Sequence, residues 1–239
     1  MSNIRNETKE KSKLRLWVEN YWYHYKWPTV FGVFFLIVGI ICTVQAVENQ
    51  KYDSFIMYAG DYQMSRVQVV DMENSFSCVV QDNDGDGKVN VAVRDLFLLS
   101  QEQIEEINDN DEGYKVNATL ITSNWEIFDQ EIMAGEATIC LLSPMLFERV
   151  RDAGGFLLVE EFVGEADVEY YDKYGVYLKS LPFSSLNGLS FLPDDTILCV
   201  RRASTMASIF GREKEKKRHA INLESFKNIF EYGLNSAQN

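Results

Sequence analysis

The residues best suited to chemistry form one run, Asp82-Asn83-Asp84-Gly85-Asp86-Gly87-Lys88-Val89-Asn90. Carboxylates at positions 1, 3 and 5 of a tight loop converge on one point, and calcium takes several oxygens at once. Asp82, Asp84 and Asp86 hold those positions. Gly87 at position 6 permits the sharp turn, Lys88 at position 7 offers its carbonyl, and Asn90 at position 9 ligates directly or through water. The expected cofactor is therefore a structural calcium ion, with Asp82, Asp84, Asp86, Lys88 and Asn90 as its ligand set. The same residues also make an ordinary Asp/Gly turn between strands, and the sequence leaves both readings open.

The loop resembles the DxDxDG calcium loops of EF-hands, dockerins and integrin-type repeats. It departs from the EF-hand at position 12, where a bidentate acid is required and Val93 stands. The segment that follows also reads as a strand, not a helix. Without a bidentate ligand the expected affinity is modest, ~10⁻⁴ to 10⁻³ M as in extracellular modules.

Catalytic chemistry is thinly provided. Neutral-pH general bases are most often histidine or a tuned carboxylate. The chain has two histidines, His24 and His219, and neither serine nor cysteine stands in a nucleophile motif. Glu160-Glu161 would point to opposite faces of a strand, and Asp194-Asp195 reads as turn chemistry. A non-catalytic protein is expected. The basic run Arg212, Lys214, Lys216, Lys217 and Arg218 is interleaved with Glu213 and Glu215 and reads as a solvated face. Asn117-Ala118-Thr119 is a glycosylation sequon, but Asn117 also stands where a helix cap is expected.

These groups need elements to hold them. Residues 54–60 read as a strand ending at Gly60, whereas 63–77 fit a helix only loosely. Residues 89–99 alternate and then become continuously apolar, as a strand does, and 108–113 read as a turn. Asn117 can cap a helix whose apolar face is Leu120, Ile121, Trp125, Phe128 and Ile132, stopped by Gly135. Residues 138–142 form a buried-type strand. Ser143-Pro144 opens a helix that ends at Gly154-Gly155, and 156–159 return to the core. Residues 174–178 and 196–200 read as further strands. A helix over 222–232, capped by Asn222, closes the chain. This alternation predicts an α/β fold: a mixed or parallel sheet with helices on both faces. Cys140 and Cys199 lie in apolar runs and are expected as buried thiols. With Cys78 they make an odd count beyond the apolar stretch, which argues against a disulfide framework, although a single pair stays open.

Residues 125–159 (WEIFDQEIMAGEATICLLSPMLFERVRDAGGFLLV) resemble a segment of the extracellular solute-binding proteins of bacterial ABC importers. Ala134-Gly135-Glu136, Ile139 to Leu142 and Gly154-Gly155-Phe156-Leu157 carry the likeness. It implies a binding or sensing module and supplies no ligand residues. Those proteins are usually longer, with two full lobes.

One uncharged apolar stretch, Trp27 to Val47, is long enough for a ~30 Å hydrocarbon core. Arg5, Lys9, Lys11, Lys13, Arg15 and Lys26 precede it, which places the N-terminus in the cytoplasm by the positive-inside rule. Trp17, Tyr21, Trp22, Tyr23, Tyr25 and Trp27 suit the headgroup layer and a juxtamembrane helix. A cleaved signal is the rival reading, since Val44-Gln45-Ala46 resembles a cleavage site, but the charged leader and apolar run are both long for one. Ile41 before Cys42 disfavours lipidation. The expected organisation is a cytoplasmic tail (1–27), a transmembrane helix (28–47) and one extracytoplasmic domain (48–239), in a single-pass protein of the cell membrane. In style it resembles Gram-positive bacterial surface proteins.

With 46% hydrophobic residues overall, the last segment can bury a core. Its formal charge is about −16, which should repel nucleic acid and anionic lipid. Besides the membrane, the expected partner is a small solute or a protein. The alternative function is that of a structural or accessory subunit of a membrane or cell-surface complex, docking through the aromatic tail and span.

Overall fold

A computed structural model describes residues 13–48, 52–83, 85–110, 116–134, 137–164, 167–203 and 213–236. The chain divides into two compact units, Met1–Gln50 and Lys51–Asn239. The first contains one helix, α1 (Lys13–Glu48), with Pro28 inside it. Its 36 residues span about 54 Å at 1.5 Å per residue. The sequence separates a juxtamembrane helix from a span; here the two are continuous. Leu16–Cys42 is long and apolar enough to cross a membrane. A signal sequence would pass the same test.

The second unit is built on a six-stranded mixed sheet of order β2-β1-β3-β6-β5-β4. The strands are β1 (Ser54–Gly60), β2 (Val91–Phe97), β3 (Ile139–Leu142), β4 (Tyr170–Asp172), β5 (Gly175–Tyr177) and β6 (Ile197–Val200). Strand β1 runs parallel to both β2 and β3. The pairs β3–β6, β6–β5 and β5–β4 are antiparallel. A parallel half thus meets an antiparallel half at β3 and β6.

Alternation along the strands supplies two cores, because successive side chains point to opposite faces. On one face, Ile56, Tyr58, Ile139, Leu141, Leu198 and Val200 are buried against α2 (Arg66–Ser77) and the C-terminal helix through Met72, Phe76, Phe226 and Phe230. On the other, Met57, Ala59, Cys140, Leu142, Ile197 and Cys199 meet Phe128 of α4 (Ala118–Ala134) and Leu146, Phe147 and Val150 of α5 (Pro144–Asp152). Helices therefore cover both faces.

Local chemistry explains the helix starts. Ser65 and Gln68 form a reciprocal capping box, which resolves 63–77 in favour of helix. Ser100 and Gln103 do the same for α3 (Gln101–Asn110), an element that a polar, charged sequence conceals. Asn117 accepts the Leu120 amide, as a cap should. Gly135 lies outside the described residues. Ser143 precedes the first-turn proline of α5 but makes no side-chain cap bond.

Several expectations change: residues 108–110, read as part of a turn, are the end of α3, and Leu120, read on the apolar face of α4, is exposed. Glu160 and Glu161 begin a short helix, α6 (Glu160–Val163), not a strand. Strand β4, which lies between the segments read as elements at 156–159 and 174–178, pairs with β5. Asn222 does not cap the last helix: α7 (Glu213–Ser236) starts upstream of it, and Asn222 is buried with its amide 3.5 Å from Thr138 Oγ1. The Glu/Lys run ahead of it has high helix propensity and carries the helix backward.

Candidate functional site

The acidic loop is tied to β1 by a residue the sequence reading overlooked. Asp53 is buried; its carboxylate accepts the amides of Asn83 (2.7 Å) and Asn90 (2.8 Å), while its own amide donates to the Asn90 carbonyl. Within the loop, Asp82 accepts from Gly85 (2.6 Å) and Gly87 (2.8 Å), and Asp86 accepts from Lys88 (2.8 Å). Gly85 and Gly87 have φ of 76° and 81°, the left-handed region that glycine enters without a Cβ penalty. The carboxylates thus organise the turn by accepting backbone amides. Asp84 lies outside the described residues. Among the described residues, no group of three or more His, Cys, Asp or Glu is arranged to hold a metal ion.

A different concentration of polar groups lies where β1 and β3 end. The chain leaves β1 for α2 on one face and leaves β3 for α5 on the other. Neighbouring parallel strands whose connections diverge this way form a topological switch point, the usual ligand crevice of open α/β sheets. The Ser143 amide donates to the Ala59 carbonyl at 3.0 Å. A Cβ on Gly60 would stand 3.5 Å from Ser143 Cβ and 2.9 Å from the Tyr58 hydroxyl. The missing side chain at Gly60 keeps this edge open.

The electrostatics here are acidic. Asp95 is the register partner of Tyr58 on β2. Its Oδ2 accepts the Met64 amide at 3.2 Å, whereas Oδ1 is buried without a hydrogen-bond partner. Burial pushes this carboxyl up to about 6, against the lowering effect of the Met64 bond. The Tyr58 phenol is also pushed up, first by burial and then by the charges of Asp61, Asp95 and Asp195, while the Tyr62 amide opposes the shift. Gln103 donates to Asp61 at 3.1 Å.

Asp195 connects this edge to a surface depression of about 420 Å³ lined by Glu169, Tyr177, Lys179, Ser180, Asp194 and Asp195. Lys179 donates to the Ser190 carbonyl (2.8 Å) and pairs with Asp194 (3.6 Å). Because β6 runs against β3, its leading residues arrive at the edge where β1 and β3 finish. Volumes of about 300–1,000 Å³ are usual for small-ligand sites. The sequence flagged Asp194-Asp195 only as a turn, and nothing local joins it to Tyr58 or Tyr177.

His219 is partly buried beside Arg201. Its Nε2 lies 3.1 Å from the Arg201 carbonyl, and burial pulls its pKa down, opposed by that contact and assisted by the Arg201 charge. Compared with known protein families, curated proteins and solved structures, the chain matches none.

Proposed function

We propose that the chain is an extracytoplasmic binding or sensing module, anchored by α1 with its N-terminus in the cytoplasm, and that it takes a small solute carrying a positive group. The observation that carries this reading is the acidic depression beside the β1–β3 switch point, lined by Asp195, whose charge also acts on Tyr58. Carboxylates along its rim favour an ammonium, and Lys179 offers a donor to an acceptor group on the same solute.

The test is a melting-temperature screen on the full-length protein in mild detergent. The panel covers amines, amino acids, cationic peptides and neutral sugars. A cationic member should raise the melting temperature, and Asp195→Asn should reduce that rise. A panel with no shift, or shifts unchanged by Asp195→Asn, rules the reading out. Labelling Cys78, an exposed thiol, with a membrane-impermeant maleimide on intact cells tests the orientation. Protection of Cys78 until the cells are lysed would refute the outside placement.

One observation favours an accessory-subunit role instead. Trp17, Tyr21 and Tyr25 stack along one side of α1 at 5.7 and 5.3 Å, all exposed. Crosslinking in native membranes that recovers only monomer would remove this alternative.

A further inference from the structure

We infer that Cys140 and Cys199 are a disulfide-forming pair whose closure covalently joins the parallel and antiparallel halves of the sheet. They are direct register partners on β3 and β6. Both are fully buried on the same face of the sheet. The Cys199 thiol donates to the Cys140 carbonyl at 3.6 Å, which sets its sulfur beside the Cys140 backbone. The hydrogen bond from the Arg201 amide to the Thr138 carbonyl fixes the alternation of the ladder. Two residues further along each strand, Cys140 and Cys199 again occupy a hydrogen-bonded pair.

Such pairs have Cα atoms about 5.5 Å apart, inside the range of about 4.4–6.8 Å that a disulfide spans. Opposed Cβ atoms lie about 4.5–5.5 Å apart, against about 3.5–4.5 Å in a disulfide. The strands must draw together slightly, so the bond is strained and more easily reduced than an unstrained structural disulfide. In the reduced protein, burial holds the Cys199 thiol in its neutral form, with Cys140 adding to the effect. Exchange therefore proceeds while β3 and β6 are pairing, or when their joint opens.

The step consumes a low-molecular-weight disulfide, RS–SR. One cysteine thiolate attacks it, forming a mixed disulfide and releasing one RSH. The second cysteine then displaces the other RS group, forming the Cys140–Cys199 bond. Two protein thiols are oxidised, and RS–SR is reduced to two RSH.

The joint matters because β3–β6 is the register contact between the two halves, and both halves border the crevice and depression described above. The closed bond encloses a loop of about 60 residues. Loop-entropy reasoning, less the strain, predicts a melting temperature about 5–10 °C higher in the oxidised protein.

The test uses the full-length chain in mild detergent, held a few degrees below its melting temperature with glutathione disulfide or with a reductant. Each sample is then denatured, alkylated and peptide-mapped. The expected result is a Cys140–Cys199 cross-linked peptide two hydrogens lighter than its parts, with Cys78 outside the link. The expected rise in melting temperature should vanish in Cys140→Ala and Cys199→Ala. Recovery of both thiols as alkylated cysteine after the oxidising treatment, or their linkage to Cys78, overturns the inference.

Discussion

Asp95→Asn should change how stability depends on pH. Burial pushes the Asp95 carboxyl up to about 6 in the fold, from an ordinary value of 3.8. The folded state therefore holds its proton more tightly than the unfolded chain. Its contribution is most favourable below about pH 4 and is lost as the pH rises through about 6. At 1.36 kcal/mol per tenfold change in proton affinity, the full ionisation penalty is about 3 kcal/mol. The carboxyl keeps some contact with solvent, and screening reduces this to about 1–2 kcal/mol. Asparagine can still accept the Met64 amide but cannot ionise. Its amide group would take the unpartnered Oδ1 position, a cost that does not vary with pH. Thermal unfolding of both proteins between pH 4.5 and 8 should show the variant gaining on the wild type as pH rises. The relative gain should be about 3–6 °C for a unit of this size. Parallel pH profiles for the two proteins would refute the argument, because they would mean that the Asp95 charge bears no burial penalty.

Three further outcomes are expected. Gly188→Ala should cost about 1–3 kcal/mol, since a Cβ there would lie 2.2 Å from the Asp71 carbonyl oxygen and 2.4 Å from the Met72 nitrogen of α2; urea unfolding with an unchanged midpoint would contradict this. Arg201→Met should cost about 2–4 kcal/mol, because the buried guanidinium donates to the carbonyls of Ala137 (2.8 Å) and Ile132 (3.1 Å); calorimetry of the variant checks it. If the acidic loop binds calcium at ~10⁻⁴ to 10⁻³ M, then about 10 mM calcium should stabilise the protein by about 1.5–3 kcal/mol relative to EDTA, with a smaller response in Asp86→Asn. A flat calcium series would leave the loop as a turn.

Long-range pairing explains what sequence reading missed. Strand β4 has three residues in a polar setting, and its membership of the sheet comes from β5 rather than from its own pattern. Helix α3 has few apolar residues to mark a face. The start of α7 depended on a Glu/Lys run whose charge pattern reads equally well as solvated loop or helix. Asn222 has the chemistry of a cap, and only the packing of α7 against Thr138 turns it into a buried contact.

By itself the sequence determined the features that arise within a few residues of one another. These are the long apolar helix, the buried runs of β1, β3 and β6, the Asn117 cap, the proline start of α5 and the glycine-bearing acidic turn. Each follows from periodicity, local hydrogen bonding or a backbone preference that neighbouring residues satisfy. The tertiary structure alone decided the strand order, the opposition of Cys140 to Cys199, the burial of Asp95 beside Tyr58, and the meeting of Asp195 with the carboxyl ends of β1 and β3. Those depend on which strands share a ladder and in what direction, and groups separated by tens of residues carry no local signal of that pairing.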